Sequence, residues 1–335
     1  MFVYTTTMIL EGKKLILATK PFAKEERSKS WMHTISTLVL LIGAYVSIFW
    51  VEPIALKIAL SILASLISVR MFIIYHDYLH KTILQNSTLA NIIFSLFGLY
   101  ILSPRSVWKR SHDYHHKHNS KLFTSSVGSF PIITKTKYKS LRDSDRRAYL
   151  FTRHPLTILL GHVFTFTFGL SLLPLLRSPD KHWDAAIALV AHYSIAVLIY
   201  LTCGPLNFFI GFLMPAIISG AMGSYLFYAQ HNFPGTHFED KEGWTYISAA
   251  MNSSSYMKMN KLMHWFTGNI GFHHIHHLNA RIPFYRLPEA FEKIPELQSA
   301  KTTSLHPMDV YRCLRLKVWD TETQTMIGLR EIAKG

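Results

Sequence analysis

Cysteine is scarce in this chain, and so are acidic side chains. The two cysteines among its 335 residues, Cys203 and Cys313, are too few and too far apart for a disulfide framework or a cysteine-type zinc site. Any metal must therefore be bound by nitrogen or oxygen atoms. Asp and Glu number 20 against 35 Lys and Arg, and a membrane surface explains this positive excess more economically than a nucleic acid partner does.

Charged residues of either sign make up only 16% of the chain, whereas 49% of its residues are hydrophobic and concentrated in long runs. The first two runs, 34–50 and 54–75, are each near the ~20 residues that a membrane-spanning helix needs. They predict a tight helical hairpin across a membrane. Arg70, near the end of the second run, is interpreted as an anchor that reaches the membrane interface.

The next apolar run, 89–102, has only 14 residues and predicts an interfacial or re-entrant segment. It precedes a polar loop, 105–153, whose twelve Lys and Arg predict a cytoplasmic location under the positive-inside rule. These basic residues also suit a lipid headgroup or an acidic electron carrier, but the topology signal alone explains them more simply.

Three further apolar stretches follow, at 155–176, 184–203 and 206–228, and the chain is polar again beyond them. If both polar regions are cytoplasmic, an even number of crossings separates them, so the three stretches do not all span singly. Pro205 and Pro215 mark the last stretch as the expected broken or in-plane segment. The sequence therefore predicts about four membrane-spanning helices with one or two interfacial segments.

The first residues lack the basic, apolar and small-residue regions of a signal peptide, so residues 1–33 are expected to be a retained cytoplasmic arm. We expect residues 34–302 to form the membrane domain and residues 303–335 to form a cytoplasmic tail. The expected fold class is all-α, a polytopic membrane protein with a cytoplasmic helical cap.

Histidine is abundant, with 19 residues, and eight of these form three boxes whose spacing suits a shared metal site. Residues at i, i+3 and i+4 lie on one side of a helix, so such a box directs its imidazoles into a common volume. The boxes lie at 76–80, 112–116 and 273–277, and a ninth histidine follows the last apolar stretch. These nine residues are His76, His80, His112, His115, His116, His231, His273, His276 and His277.

One metal ion rarely uses more than six ligands, so eight or nine imidazoles fit two ions, with positions left for water or dioxygen. Imidazole binds iron, zinc and copper alike, so the ligand type alone does not name the metal. A single His pair at i and i+4 is usually a surface patch, whereas two copies of the H-x-x-H-H spacing after a first box are improbable by chance. All nine histidines also fall in stretches that the span count places on the cytoplasmic face.

Histidines inside apolar runs, such as His162 and His192, are interpreted as hydrogen-bonded packing or interface residues. Other polar residues close to the boxes are candidates for hydrogen bonds to the imidazole nitrogens that face away from the metal. These second-sphere candidates are Asp77, Asp113, His264 and Asn269.

The segments HDYLH, HDYHH and HHIHH, in this order, resemble the histidine boxes of the membrane fatty acid desaturase family over about residues 70–290. The first box is most similar to that of acyl-lipid desaturases of the omega-6 (delta-12) type, which is likewise H-D-x-x-H. The segment MHWFTGNIGFHHIHHLNARIPFYRLPEA is similar to that group's His-Asp-x-Asn segment, box and Ile-Pro-x-Tyr-x-Leu continuation, with Trp265 in place of the usual Asp.

This resemblance implies a di-iron centre of two Fe²⁺ ions held by the nine histidines, with His231 as the additional ligand after the last span. It implies that a cis double bond is introduced into a lipid-linked fatty acyl chain, inside an apolar tunnel, with dioxygen and two electrons. Front-end desaturases usually carry Gln at the first position of the third box and a fused cytochrome b5 domain. This chain has His273 there and no heme-binding extension, so we expect an external electron donor of the ferredoxin or cytochrome b5 type. The expected location is a bacterial cytoplasmic membrane, with the boxes facing the cytoplasm.

Two other functions remain open at this point. A related di-iron membrane hydroxylase or carotenoid ketolase would use similar boxes, but it would insert oxygen, which product analysis distinguishes. A membrane metal transporter would place His, Asp or Glu near the middle of its spans, whereas the metal-binding pattern here lies outside them.

Overall fold

The structure is a computed structural model that describes residues 10–122, 130–240 and 242–334. The first nine residues of the expected arm and residues 123–129 of the basic loop lie outside the described residues. The all-α class predicted from the sequence is confirmed, since the described strands are only three residues long and form two two-stranded sheets.

The described part of the arm contains helix α1 (Lys13–Thr19) and a 3-10 turn (Lys20–Ala23). It lies against the segment that follows the third histidine box. The Glu26 backbone N–H donates to the Tyr285 hydroxyl at 2.9 Å, and Arg286 donates to the carbonyl of the turn at Pro21 over the same distance.

The first two apolar runs form helix α2 (Arg27–Trp50) and helix α3 (Ile54–Leu79), both long and apolar enough to cross a membrane. Pro53 stands at the N-cap of α3, where a missing N–H is harmless. At 1.5 Å per residue the 26 residues of α3 measure ~39 Å, which exceeds the ~30 Å of hydrocarbon in a bilayer. Its last turn can therefore project from the membrane, and that turn carries the first box.

Arg70 does not reach the membrane interface as the sequence suggests. Its side chain is only 3% exposed, and its Nε donates to the Thr37 hydroxyl at 3.1 Å. Its guanidinium carbon lies 4.2 Å from the centre of the Trp265 ring, and Nη1 donates to the Trp265 carbonyl oxygen. The expectation was wrong because the segment before the third box folds over this end of α3 and covers the charge.

Helix α4 (Thr88–Tyr100) and helix α5 (Arg105–His118) are bent by 90° relative to each other. Helix α4 packs along the end of α3, where the rings of Tyr78 and Phe94 are stacked 4.6 Å apart. The arrangement agrees with the re-entrant interpretation of this run. Helix α5, beyond the bend, carries the second box.

Beyond α5, the described residues of the polar loop and of the next apolar stretch contain only short helical elements. The helix from His162 to Arg177 has 16 residues, ~24 Å, which is shorter than a membrane span. The elements are α6 (Lys135–Ser140), α7 (Asp143–Thr152), α8 (Pro155–Leu159), a π-helical stretch (His162–Leu172) and α9 (Leu173–Arg177).

The last two apolar stretches are continuous in the chain but fold back at Gly204. This glycine has φ 79° and ψ 168°, a conformation that side chains with a Cβ rarely adopt. Tyr200 before it packs on Phe208 after it, with ring centres 5.7 Å apart, so the two legs run antiparallel. They comprise α10 (Trp183–Phe208), a second π-helical stretch (Phe209–Leu213) and α11 (Met214–Ala229).

Two side-chain bonds fix which ends of these helices lie together. Lys57, in the first turn of α3, donates to the Asn207 side chain at 2.7 Å, so the two hairpin turns share one side of the membrane domain. At the other side the Ser106 backbone N–H, at the start of α5, donates to the Asp184 carboxylate at 2.9 Å.

The broken segment was therefore expected in the wrong place. The stretch 206–228 forms a full leg, whereas 155–176 is the short one, because the fold-back occurs at Gly204 and not within the last stretch. Helices α2 and α3 and the segment Trp183–Ala229, which folds back at Gly204, are long and apolar enough to cross a membrane. The ends of α3 and α11 lie opposite the two hairpin turns, so all three boxes lie on one side of the membrane domain.

Beyond α11 the chain forms a cap of short elements over the boxes, and β1 pairs with β2 in parallel while β3 pairs with β4 antiparallel. The final segment is attached to the membrane domain, since the Tyr228 hydroxyl donates to the Leu316 carbonyl at 2.9 Å. The cap comprises α12 (Tyr246–Ser253), β1 (Tyr256–Lys258), α13 (Lys261–Phe266), α14 (His273–Leu278), 3-10 turns (Phe284–Arg286 and Pro295–Ser299), α15 (Leu287–Lys293), β2 (Thr302–Ser304), α16 (Pro307–Arg315), β3 (Val318–Asp320), β4 (Thr325–Ile327) and α17 (Leu329–Lys334).

Candidate metal centre

Four segments bring the nine histidines together on one side of the membrane domain. The first box ends α3, the second box lies on α5, and the third box forms α14. His231 follows directly after α11, at the point where the chain leaves the second leg. Their imidazoles form two clusters in which all candidate ligand atoms lie within 4.8 Å of one another.

Cluster A contains five histidines, with members from all three boxes. Four contacts between Nε2 atoms, 2.8, 3.0, 3.1 and 3.2 Å long, join them into one chain. In the order of those contacts the members are His80, His76, His112, His116 and His276.

Cluster B contains four histidines whose Nε2 atoms form a closed ring. Its four sides measure 3.0, 2.9, 3.1 and 3.2 Å. In ring order the members are His115, His231, His273 and His277.

The spacing of the second and third boxes allows each of them to contribute to both clusters. In a helix, residues i and i+4 are nearly in line, whereas residue i+3 lies on the other side of that line. The second box gives its i,i+4 pair, His112 and His116, to cluster A and its middle histidine to cluster B. The third box does the reverse, since His273 and His277 belong to cluster B while His276 belongs to cluster A.

The separations between nitrogen atoms suit metal coordination. Two imidazole nitrogens bound to one ion at about 2.1 Å with a right angle between them lie about 3.0 Å apart. The Nε2 contacts in both clusters are between 2.8 and 3.2 Å. The residues present therefore fit two metal ions, one in each cluster.

The protonation state of the rings also suits metal binding, which needs a neutral imidazole. Burial lowers the pKa of His231 from 6.5 to about 4. Burial, and then the neighbouring imidazoles, hold the pKa values of His276 and His277 well below 6.5. The rings are therefore neutral near pH 7 and offer lone pairs to a cation.

Two of the second-sphere candidates, Asp77 and Asn269, are linked to the first box. Asp77 is buried, and its Oδ1 lies 3.2 Å from His76 Nδ1. Its Oδ2 accepts the Phe284 backbone N–H at 2.7 Å, and the Phe284 carbonyl accepts from the Asn269 side chain at 3.1 Å. One residue, Phe284, therefore connects both candidates through its N–H and its carbonyl, and the Asp77 carboxylate faces the His76 ring.

The other two candidates, Asp113 and His264, are directed elsewhere. The Asp113 carboxylate forms an ion pair with Lys109 at 2.8 Å on the outer side of α5. His264 stacks on the Phe272 ring with centres 5.0 Å apart. A partner of a candidate ligand that the sequence did not suggest is the Ser253 carbonyl, which lies 3.1 Å from His231 Nδ1.

A cavity leads from both clusters into the membrane domain. The His76 and His112 rings of cluster A and the His115 and His273 rings of cluster B line one end. Gln230 also lines this end, and its side chain donates to the Ile270 carbonyl at 2.8 Å. The cavity is bounded by apolar side chains further from the clusters, with Val69, Phe72, Phe166, Leu226 and Phe227 among them.

The sequence does not predict that polar residues line the far end of this cavity. Tyr45, Tyr100, His162 and His192 line it inside the membrane domain. His162 and His192 lie within apolar runs of the sequence, and ionisable residues inside a membrane usually have a function. This position could have indicated a functional role for both.

Comparison with known proteins gives a consistent result. A protein-family model described as fatty acid desaturase matches residues 52–307. The chain is 29% identical over 329 residues to a fatty acid desaturase of Bacillus subtilis (strain 168), which covers 97% of this chain and 93% of that protein.

Two cyanobacterial proteins are more distant relatives. An sn-1 oleoyl-lipid 12-desaturase of Anabaena variabilis is 24% identical over 277 residues, 82% of this chain and 78% of that protein. An sn-1 acyl-lipid omega-3 desaturase (ferredoxin) of Nostoc sp. (strain 36) is 22% identical over 243 residues, 67% of this chain and 63% of that protein.

Proposed function

This chain belongs to the fatty acid desaturase family, an oxidoreductase class, and we propose that it introduces a cis double bond into fatty acyl chains of membrane lipids. The observation that carries the proposal is the position of the two histidine clusters, at the mouth of an apolar cavity that runs into the membrane domain. A methylene group that enters this cavity lies beside both clusters.

We propose that cluster A and cluster B each hold one Fe²⁺ ion, with the nine histidines as ligands and Asp77 as the acceptor that orients His76. Iron bound there would supply the oxidation of an unactivated methylene by dioxygen, a reaction beyond any amino-acid side chain. Imidazole alone does not select iron over zinc or copper, so the assignment of iron depends on the family.

The reaction removes one hydrogen from each of two neighbouring carbons and reduces dioxygen to two waters. Two of the four electrons come from the acyl chain, and an external donor supplies the other two, with two protons from solvent. The protein holds the acyl chain in an extended conformation beside the clusters and excludes water. Rings such as Phe72 and Phe227, which line the cavity, are suited to this task.

The donor is proposed to be a separate carrier protein of the ferredoxin or cytochrome b5 type. The name of the Nostoc relative, which includes ferredoxin, supports the first of these. The proposed location is a bacterial cytoplasmic membrane with the clusters on the cytoplasmic side, where such carriers are found. The basic residues of the neighbouring loop support this orientation.

The proposed regiochemistry is of the omega-6 type, on lipid-linked chains. The residues of the first box and the name of the Anabaena relative, an oleoyl-lipid 12-desaturase, support it.

The test is gas chromatography with mass spectrometry of fatty acid methyl esters from a host that expresses the chain. A His276→Ala variant serves as the control, because it removes one ring of cluster A. A new diene made from host monoenes, absent in the control, is the expected result. A hydroxylated or oxidised chain in place of an alkene would contradict the proposal and indicate a hydroxylase or ketolase.

A further inference from the structure

Four polar side chains meet inside the membrane domain, at the end of the cavity remote from the clusters. They come from α2, α4, α10 and the first π-helical stretch, so the fold rather than one local segment brings them together. We call this group the distal polar cluster, and it consists of Tyr45, Tyr100, His162 and His192.

The contacts of this cluster leave one nitrogen without a partner. The Tyr100 hydroxyl donates to the Tyr45 hydroxyl at 2.8 Å. His192 Nδ1 lies 2.6 Å from the Tyr100 carbonyl, so Nδ1 carries the proton and Nε2 is an acceptor. His192 is only 3% exposed, and its Nε2 has no hydrogen-bond partner among the described residues.

Unusual backbone geometry holds these histidines at the cavity. His162 begins the π-helical stretch, and its ring centre is 5.1 Å from that of His192. The chain passes so close to α11 there that a Cβ on Gly220 would lie 2.5 Å from His162 N. Phe212, from the second π-helical stretch, packs on the His192 ring at 4.9 Å. Such π-helical turns are frequent at functional sites.

The same cavity joins the metal clusters to the distal polar cluster. Along α11 its lining residues extend from Gln230, beside the metal clusters, to Ala216. These positions are 14 residues apart, ~21 Å at 1.5 Å per residue. An acyl chain that passes the metal clusters therefore meets these polar groups at its methyl end.

We propose that the distal polar cluster is a stop for the methyl end of the acyl chain, with the His192 Nε2 atom and the Tyr45 hydroxyl as its contact points. This inference rests on the proposed function. Covering an unpaired buried nitrogen and a hydroxyl with hydrocarbon is unfavourable, so the methyl end halts before them. The position of the new double bond is then counted from the methyl end and not from the carboxyl end.

The first test varies the substrate and leaves the protein intact. A host that expresses the chain is supplied with fatty acids of 16, 17 and 18 carbons, and double bonds are located by mass spectrometry of dimethyl disulfide adducts. The expected result is a double bond at one fixed distance from the methyl end in all three. A fixed distance from the carboxyl end would overturn the stop, and no new double bond would overturn both the proposed function and the stop.

The second test changes the stop itself. His192→Leu is similar in size and removes the unpaired nitrogen, and Tyr45→Phe removes the hydroxyl. In each variant the methyl end advances, so isomers with the double bond further from the methyl end should rise at least about fivefold as a share of product. Val190→Leu, on the lipid-exposed face of the same helix as His192, is the control and should keep the wild-type isomers.

Tyr45→Phe keeps the test decisive if His192→Leu does not fold, because it deletes one atom and adds none. Iron content per chain, measured beside the products, reports whether the rest of the protein is intact. Unchanged isomers in active, iron-loaded Tyr45→Phe and His192→Leu would overturn the proposal.

Discussion

Asp77 and Phe284 are joined by a hydrogen bond of 2.7 Å from the Phe284 backbone N–H to the Asp77 carboxylate. The other oxygen of this carboxylate lies 3.2 Å from His76 Nδ1. A single buried carboxylate therefore connects the first histidine box to the chain that follows the third box. It fixes the ring of one proposed ligand and the position of the cap together.

Replacing this carboxylate should weaken metal binding without unfolding the protein. In Asp77→Asn the amide oxygen still accepts the Phe284 N–H, but the amide NH₂ then faces His76 Nδ1–H, and two donors repel. Loss of such a partner typically costs ~10- to 100-fold in metal affinity. Iron retained after dialysis against graded chelator concentrations, measured by plasma mass spectrometry, should show the change as earlier loss of iron.

Asp113→Asn is the matched control, since it makes the same chemical change on a carboxylate next to a box histidine. Asp113 is paired with Lys109 on the outer side of α5, so this variant should retain iron as the wild type does. Equal retention of iron by both variants and the wild type would show that Asp77 does not support the site.

Gly220 permits the close approach of α11 to the first π-helical stretch. In Gly220→Ala the new methyl group would meet His162 N at 2.5 Å, and the backbone on one side must move. Overpacking of this kind costs about 1–3 kcal/mol, so the Tm followed by tryptophan fluorescence in detergent should fall by several degrees.

Gly43→Ala makes the same substitution on α2, where none of the described residues outside the adjacent helix backbone lies within 4 Å of the added methyl group. Alanine favours a helix over glycine by up to about 1 kcal/mol, so the Tm of this variant should stay level or rise. A Tm in Gly220→Ala as high as in Gly43→Ala would mean that the two segments are not in contact.

The stability of the iron-free protein should depend on pH through its buried histidines. His231 has a pKa of about 4 in the fold, lowered from 6.5 by burial. Between these values the unfolded chain binds a proton that the folded chain does not, so stability rises with pH in this window. The Tm of iron-free protein should therefore fall as pH is lowered from 6.5 toward 4.

The His231→Gln variant tests the assignment of this effect. It removes one titrating group and should flatten the dependence of Tm on pH over the same window. An identical slope in wild type and variant would mean that His231 is not a buried neutral ring.

Much of the fold and of the histidine set was predictable from the sequence. The lengths of the apolar runs predict α2 and α3, because a helix of ~20 apolar residues is the simplest way to satisfy a backbone in lipid. The box spacing predicts convergence of the rings because i, i+3 and i+4 share one side of a helix. Both arguments use only local geometry.

Contacts between segments that are distant in the sequence are harder to predict from it. The sequence does not predict the fold-back at Gly204, because Pro205 and Pro215 indicate a break in the segment that follows it. The division of the second box between the two clusters depends on how α5 packs against α14, which spacing alone does not determine. Arg70 was misjudged for the same reason, since its partner Trp265 lies 195 residues further along the chain.

The most direct test of the account is the number of iron ions bound per chain in purified protein reconstituted anaerobically with Fe²⁺. The wild type should bind two. His231→Ala, which removes one of the four rings of cluster B, should bind about one, while His118→Ala, two residues beyond the second box and in neither cluster, should still bind two. One iron in the wild type, or two retained in His231→Ala, would contradict a centre built from these two clusters.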